Sequence, residues 1–211
     1  MTDTILLLRQ AAEWRMLSLL FECPTPQWRE RLRMLAKDVQ DATLRAAAEN
    51  AIAEAAEGDY HSIFGPGGPA PAREVSYHDT LQLGYLVSEL TSYYDAFSFK
   101  PITEEALDHI SVEAGFVGYL RIKEAFAQTN ENAEQAAIAA EASTGFVNDH
   151  LSYIAQPLAA SLAESGVSYL ASAGAALLSR VGPCRTLPVL PDLTGEALCT
   201  DSTFDCGVSL S

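Results

Sequence analysis

Apolar residues in this chain recur at steps of three and four, and no segment sustains alternation at steps of two. Steps of three and four lay one apolar stripe along a helix, whereas a half-buried strand needs strict alternation. The pattern restricts the chain to helices packed on helices and predicts no sheet. The first stripe is Leu8, Ala12, Met16, Leu19 and Leu20. Cys23-Pro24-Thr25-Pro26 stops that helix, and Thr25 with Pro26 offers the next one an N-cap and a first-turn proline. Residues 26–57 read as helix in two pieces ending at Gly58.

Proline and glycine then punctuate the chain. Phe64-Gly65-Pro66-Gly67-Gly68-Pro69-Ala70-Pro71 cannot continue a helix and marks the clearest loop. Helix resumes near Ser76, with Leu83, Leu86, Val87, Leu90, Tyr94 and Phe97 on one face, and ends at Lys100-Pro101. Thr103 followed by Glu104 and Glu105 has the form of a helix start. Between Ile110 and Phe126 the chain is apolar almost all round, as a central buried helix is. A tract from about Glu131 to Glu164 carries Val147, Leu151, Ile154, Leu158 and Leu162, with Gly145 and Pro157 as points of bending. A last helix covers Val167 to Val181, and Gly182-Pro183 closes the helical region. Residues 184–211 hold few helix formers and read as an extended or disordered tail.

Charge narrows the partners. The 211 residues hold 28 acids and 13 bases, for a net charge of -15. Residues 1–45 hold six acids and seven bases, so the remainder holds 22 acids and six bases. Such a field repels nucleic acid and anionic membrane surfaces and attracts basic ligands. No apolar run approaches a membrane span, and Ile5–Leu8, with Asp3 and Glu13 on either side, is too short for a signal-peptide core. A cytoplasmic chain without stable membrane insertion is expected, its four scattered cysteines free thiols.

Familiar catalytic sets are missing from the sequence. No Gly-x-Ser-x-Gly turn occurs, and the glycine-rich loop lacks the Lys-Ser/Thr ending that holds phosphates. Glu105, His109 and Glu113 stand four residues apart and offer one candidate metal set, against the more ordinary reading of capping and ion pairing. Two stretches look alike, Asp108-His109-Ile110-Ser111 and Asp149-His150-Leu151-Ser152. Tyr77 and Tyr85, off the apolar stripe and near Glu74, Asp79 and Glu89, suit contact with an apolar and basic peptide.

Taken together these motifs resemble the TorD/DmsD/NarJ-type redox-enzyme maturation chaperones. Members show a Gly-Pro-rich loop, then Glu-x-x-Pro-Asp-His-aliphatic-x-x-Glu, then Phe-x-x-x-His-Leu. Here the loop at Phe64–Pro69 leads into Glu74-Val75-Ser76-Tyr77. The signature runs from Glu104 through Asp108-His109 to Glu113, with Leu107 in place of the usual proline and Phe116 behind it. The later motif runs from Phe146 to His150-Leu151. The resemblance spans about residues 10–180. It implies a TorD-like helical bundle in two loosely divided halves, about 1–100 and 110–183, around a hinge at about 100–109. It further implies a chaperone with no catalysis and no cofactor of its own. The implied partner is the catalytic subunit of a molybdopterin enzyme of the dimethyl-sulfoxide-reductase superfamily, with its twin-arginine signal, held until cofactor insertion. Asp108 and His109 are the implied client contacts, with Glu105, Glu113, Ser76, Tyr77 and Tyr85 next. Phe116, Phe146, His150 and Leu151 match positions that support the fold.

Overall fold

The computed structural model describes residues 2–78 and 82–183 of the chain. The expected tail at 184–211, with Cys184, Cys199 and Cys206, lies outside the described residues, as does Asp79. Among the described residues the helices are α1 (Thr2–Leu20), α2 (Pro26–Leu35), α3 (Ala42–Glu54), α4 (Glu57–Phe64), α5 (Leu83–Ala96), α6 (Ile110–Thr129), α7 (Ala133–Phe146), α8 (Ser152–Ala163) and α9 (Ser168–Val181). A 3-10 turn at Glu74–Tyr77 and a π turn at Val147–Leu151 complete the order. No strand forms among these residues; one isolated bridge joins Arg73 to His109. No described helix is long and apolar enough to cross a membrane. The all-helical expectation is met.

Helix α6 is the axis, buried on nearly every side over its first three turns, and α1 lies along it. Two glycines let α1 come close: a Cβ on Gly118 would stand 3.2 Å from the Ala11 carbonyl oxygen, and one on Gly115 would stand 3.1 Å from Ser18 Oγ. This contact decides which face of α1 is buried. Leu7, Ala11 and Trp14 point inward, so the apolar stripe begins one residue earlier than Leu8 and Ala12 suggested. Leu8 is exposed and Ala12 half-buried, while Met16, Leu19 and Leu20 are buried as expected.

Thr25 caps α2 as its sequence predicts, its Oγ1 accepting from Trp28 N at 3.1 Å. Asp41 caps α3 through Thr43 N and Leu44 N. Two corrections follow beyond it. The chain breaks at Ala55-Ala56 rather than at Gly58, and Arg29 donates to the Ala55 carbonyl there, a tertiary contact no local pattern announces. Gly58 then sits in the first turn of α4, where a backbone N–H lacks an intrahelical acceptor anyway. Helix α5 starts at Leu83 rather than near Ser76, because Glu74–Tyr77 close into the 3-10 turn. It ends at Ala96, ahead of Lys100-Pro101, with Ser98 in the left-handed region at φ 56°.

One apolar cluster runs from Trp14 through Leu90, Phe116 and Phe146 to Leu177, drawing on helices from both ends of the chain. At its centre Phe116 meets Phe146 and Tyr94, each at 4.8 Å between ring centroids. Edge-on ring pairs of this kind add about 0.5–1.5 kcal/mol beyond their buried area.

Candidate functional site

The chain leaving the Gly-Pro loop runs antiparallel to the segment entering α6. Ile110 N donates to the Ala72 carbonyl and Glu74 N to the Asp108 carbonyl, each at 2.8 Å. Gly67, at φ 81°, makes the loop's left-handed turn, which only glycine adopts without cost. Asp108 locks the crossing: it is fully buried, ion-pairs with Arg73 at 2.8 Å and receives Val75 N at 3.4 Å. Arg73 is less than half exposed, so its guanidinium reaches inward from the surface.

His109 is the N-cap of α6, and it caps with its ring. Nδ1 accepts from Ser111 N at 3.2 Å and lies 2.7 Å from Ser111 Oγ. An Nδ1 that accepts leaves the proton on Nε2, which faces Tyr60 Oη at 3.3 Å and Glu105 at 3.8 Å. Burial pushes the imidazole below its ordinary value, against the pull of Glu105 and Asp108 and with the help of Arg73. A neutral ring is what the cap requires.

A carboxylate pair lies deeper. Glu74 is fully buried and reaches His78 Nε2 at 2.9 Å with one oxygen and His150 Nδ1 at 3.1 Å with the other. Glu113 lies beside it, also fully buried, with no nitrogen or hydroxyl donor on either oxygen. Burial above all, then the negative Glu74 and Asp108, hold the Glu113 carboxyl protonated well above the usual range. Protonated, it can donate to Glu74, and the two acids share the site as a coupled pair. Tyr94 roofs it, its hydroxyl donating to the Leu107 carbonyl at 2.9 Å. His150 keeps Nε2 buried and unpartnered.

Of the residues that sequence singled out, Asp108, His109, Glu113 and His150 therefore meet in one dry centre, and Phe116, Phe146 and Leu151 are fully buried around it. Glu105 stands at its edge with a third of its side chain exposed. Ser76 is exposed, and Tyr77 is half-buried with its hydroxyl on the Pro71 carbonyl at 2.7 Å and its pKa pushed by burial to about 12. Tyr85 stands apart on α5, 70 % exposed. Glu105, His109 and Glu113 do not gather as a metal set, because α6 begins only at Ile110 and Glu113 turns toward Glu74. The Asp149-His150 repeat splits: His150 turns inward, while exposed Asp149 accepts from Tyr93 Oη at 3.1 Å. Sequence reading missed Arg73 and His78 as partners; the Arg73-Glu74 pair directly after the Gly-Pro loop was the only local signal.

An open cavity of about 490 Å³ lies between α1, α6 and residues 98–103. Phe99, Pro101, Ile102, Val112, Tyr119 and Ile122 give it a mainly apolar wall, and Ile102 is 99 % exposed. Its charged lining is Arg15, Lys100 and Glu22, so the acidic excess of the chain lies outside it.

A bundle whose polar groups hold backbone and one another, beside an open apolar groove, defines a helical binding protein. The family model described as nitrate reductase delta subunit matches residues 27–159. The chain belongs to that family, within the TorD/NarJ redox-enzyme maturation chaperones, and is a molybdoenzyme maturation chaperone rather than an enzyme. No curated protein and no solved structure matches the chain.

Proposed function

We propose that this chaperone acts in the cytoplasm and holds the cofactor-free catalytic subunit of a molybdopterin enzyme, seizing it by a basic, partly apolar N-terminal segment such as a twin-arginine signal. The family match over residues 27–159 carries the reading. The groove between α1, α6 and residues 98–103 supports it, since a wall of aromatic and branched side chains in water is where an apolar segment buries surface. Glu104 and Glu105 follow the groove's Thr103 directly and offer negative charge to the basic end of such a segment. Ser76 and Tyr85, being exposed, extend the contact. Asp108, His109 and Glu113 serve it from beneath, by fixing the segment that enters α6, and Tyr77 by tying its own turn to Pro71.

Calorimetry with a twin-arginine peptide and with the cofactor-free subunit of a molybdoenzyme encoded beside this chain tests the reading. Saturable one-to-one binding to at least one of them is expected, weakening as salt rises. Heat of dilution alone from both would overturn it.

A further inference from the structure

A second group of side chains gathers on α4 and on the turn after α1, apart from the polar centre and the groove. Glu57 and His61 stand four residues apart on one face of α4, and Cys23 comes up beside them from the turn. The thiol, one carboxylate oxygen and one imidazole nitrogen all lie within 4.8 Å of one another. His61 Nε2 is 3.5 Å from Glu57 Oε1. Around a tetrahedral zinc ion, ligands at about 2.0–2.3 Å from the metal sit roughly 3.3–3.6 Å apart. The carboxylate–imidazole pair already has that spacing. Closing the rest asks for about 1 Å from side chains that have room to move, Glu57 being 69 % and His61 62 % exposed.

An exposed Glu–His pair four residues apart on a helix is ordinary surface decoration by itself. The cysteine makes the difference. It is half-buried, so its direction is set, and the groups around it are acidic: burial first, then Glu57 and Glu105, push its thiol upward. A divalent cation would turn that repulsion into attraction. Thiolate with imidazole and one carboxylate is a donor set for zinc and its neighbours, whereas magnesium and calcium want oxygen alone.

We propose that Cys23, Glu57 and His61 form a three-ligand site for a zinc-type divalent ion, with a fourth position open to water or to a donor from a partner. Occupancy would clip the turn after α1 onto α4. No pairing of the remaining cysteines is needed, since all three lie at 184 and beyond.

The test is titration of the untagged, reduced, metal-stripped full chain with cobalt, followed by competition with zinc. One cobalt per chain is expected, with a thiolate-to-cobalt charge-transfer band that zinc abolishes. Cys23→Ser should remove the band, and His61→Ala or Glu57→Gln should weaken cobalt binding at least about tenfold with helicity unchanged, since both side chains are largely solvent-exposed. A triple variant with serine at Cys184, Cys199 and Cys206 should keep the band. Absence of a stoichiometric band, its survival in Cys23→Ser, or its loss in the triple variant overturns the proposal. Should Cys23→Ser fail to fold, unchanged affinity in His61→Ala is enough to do so.

Discussion

The polar centre and the groove lie at either end of the same short segment, residues 98–109, and they invert the usual placement of polar and apolar groups. At the Asp108 end, carboxyls and imidazoles are dry: Glu74, Asp108 and Glu113 expose nothing. At the Ile102 end, a branched apolar side chain stands in water with 99 % of its surface free. Buried carboxyls cost free energy unless each is paired or protonated, and here each is one or the other. An exposed isoleucine over an apolar cavity loses little when free and gains on binding. The difference teaches a division of labour. One end of the segment is fastened by groups that cannot be spared, so that the other end can stay open.

Breaking the fastened end should have the largest effect. Asp108→Ala strands Arg73 and the Val75 N–H and leaves the loop crossing to backbone bonds alone. Arg73 is partly exposed and can rehydrate, so the loss is expected near 1.5–3 kcal/mol rather than the full cost of an orphaned buried charge. Urea denaturation measures it. A loss below about 0.5 kcal/mol would place Asp108 among ordinary surface charges.

Glu113→Gln sharpens the comparison through pH. The Glu113 carboxyl is held above its ordinary value in the folded state, so its contribution is complete below the unfolded value and is lost as pH rises through the folded one. The glutamine variant carries no proton to lose. Its stability should decline less than that of the wild type as pH rises from the carboxylate range, with a difference in slope of up to about 1.4 kcal/mol per pH unit for one proton. Parallel stability curves from pH 5 to pH 8 would show that no proton is held there. His109 works in the opposite sense. Its value is depressed, so its cap is intact above the unfolded imidazole value and weakens as pH falls through it.

The smallest effect on stability, and the largest on binding, is expected at the open end. Ile102→Glu touches no packed neighbour and should change stability by no more than about 0.5 kcal/mol. Placed over the apolar wall, it should still weaken client binding in calorimetry by tenfold or more, since about 1.4 kcal/mol of lost burial already amounts to that factor. Unchanged affinity would move the client elsewhere, with Tyr85 on α5 the next surface to vary.

Much of the bundle was legible because helix ends carry their own chemistry. The Thr25-Pro26 start, the Gly182 stop and the all-round apolar face of α6 were readable residue by residue. Misreadings arose where a partner helix decided. Gly115 and Gly118 select the buried face of α1, and Arg29 fixes the break at Ala55. The site divides likewise. Asp108 and His109 stood out by motif, yet their partners Arg73, Tyr60 and Ser111 come from three different stretches of chain. Spacing by four suggested that Glu105, His109 and Glu113 shared a helix face, an inference that fails once His109 is the cap and Glu105 lies outside the helix.

The π turn at Val147–Leu151 has a consequence for how this chain tolerates change in length. Helix α7 packs on α6 and α8 on α9, and the turn lies where the packing partner changes. Each residue of an α-helix advances its faces by about 100°. Deleting one residue from Val147–Leu151 would swing every side chain of α8 by roughly that angle, carrying Ile154 and Leu158 out of the core. Exposed Asn130 and Glu131, between α6 and α7, have no such duty, and an insertion there would only lengthen a loop. Within this helical run, residue count is held more strictly in five positions than residue identity is held in many others.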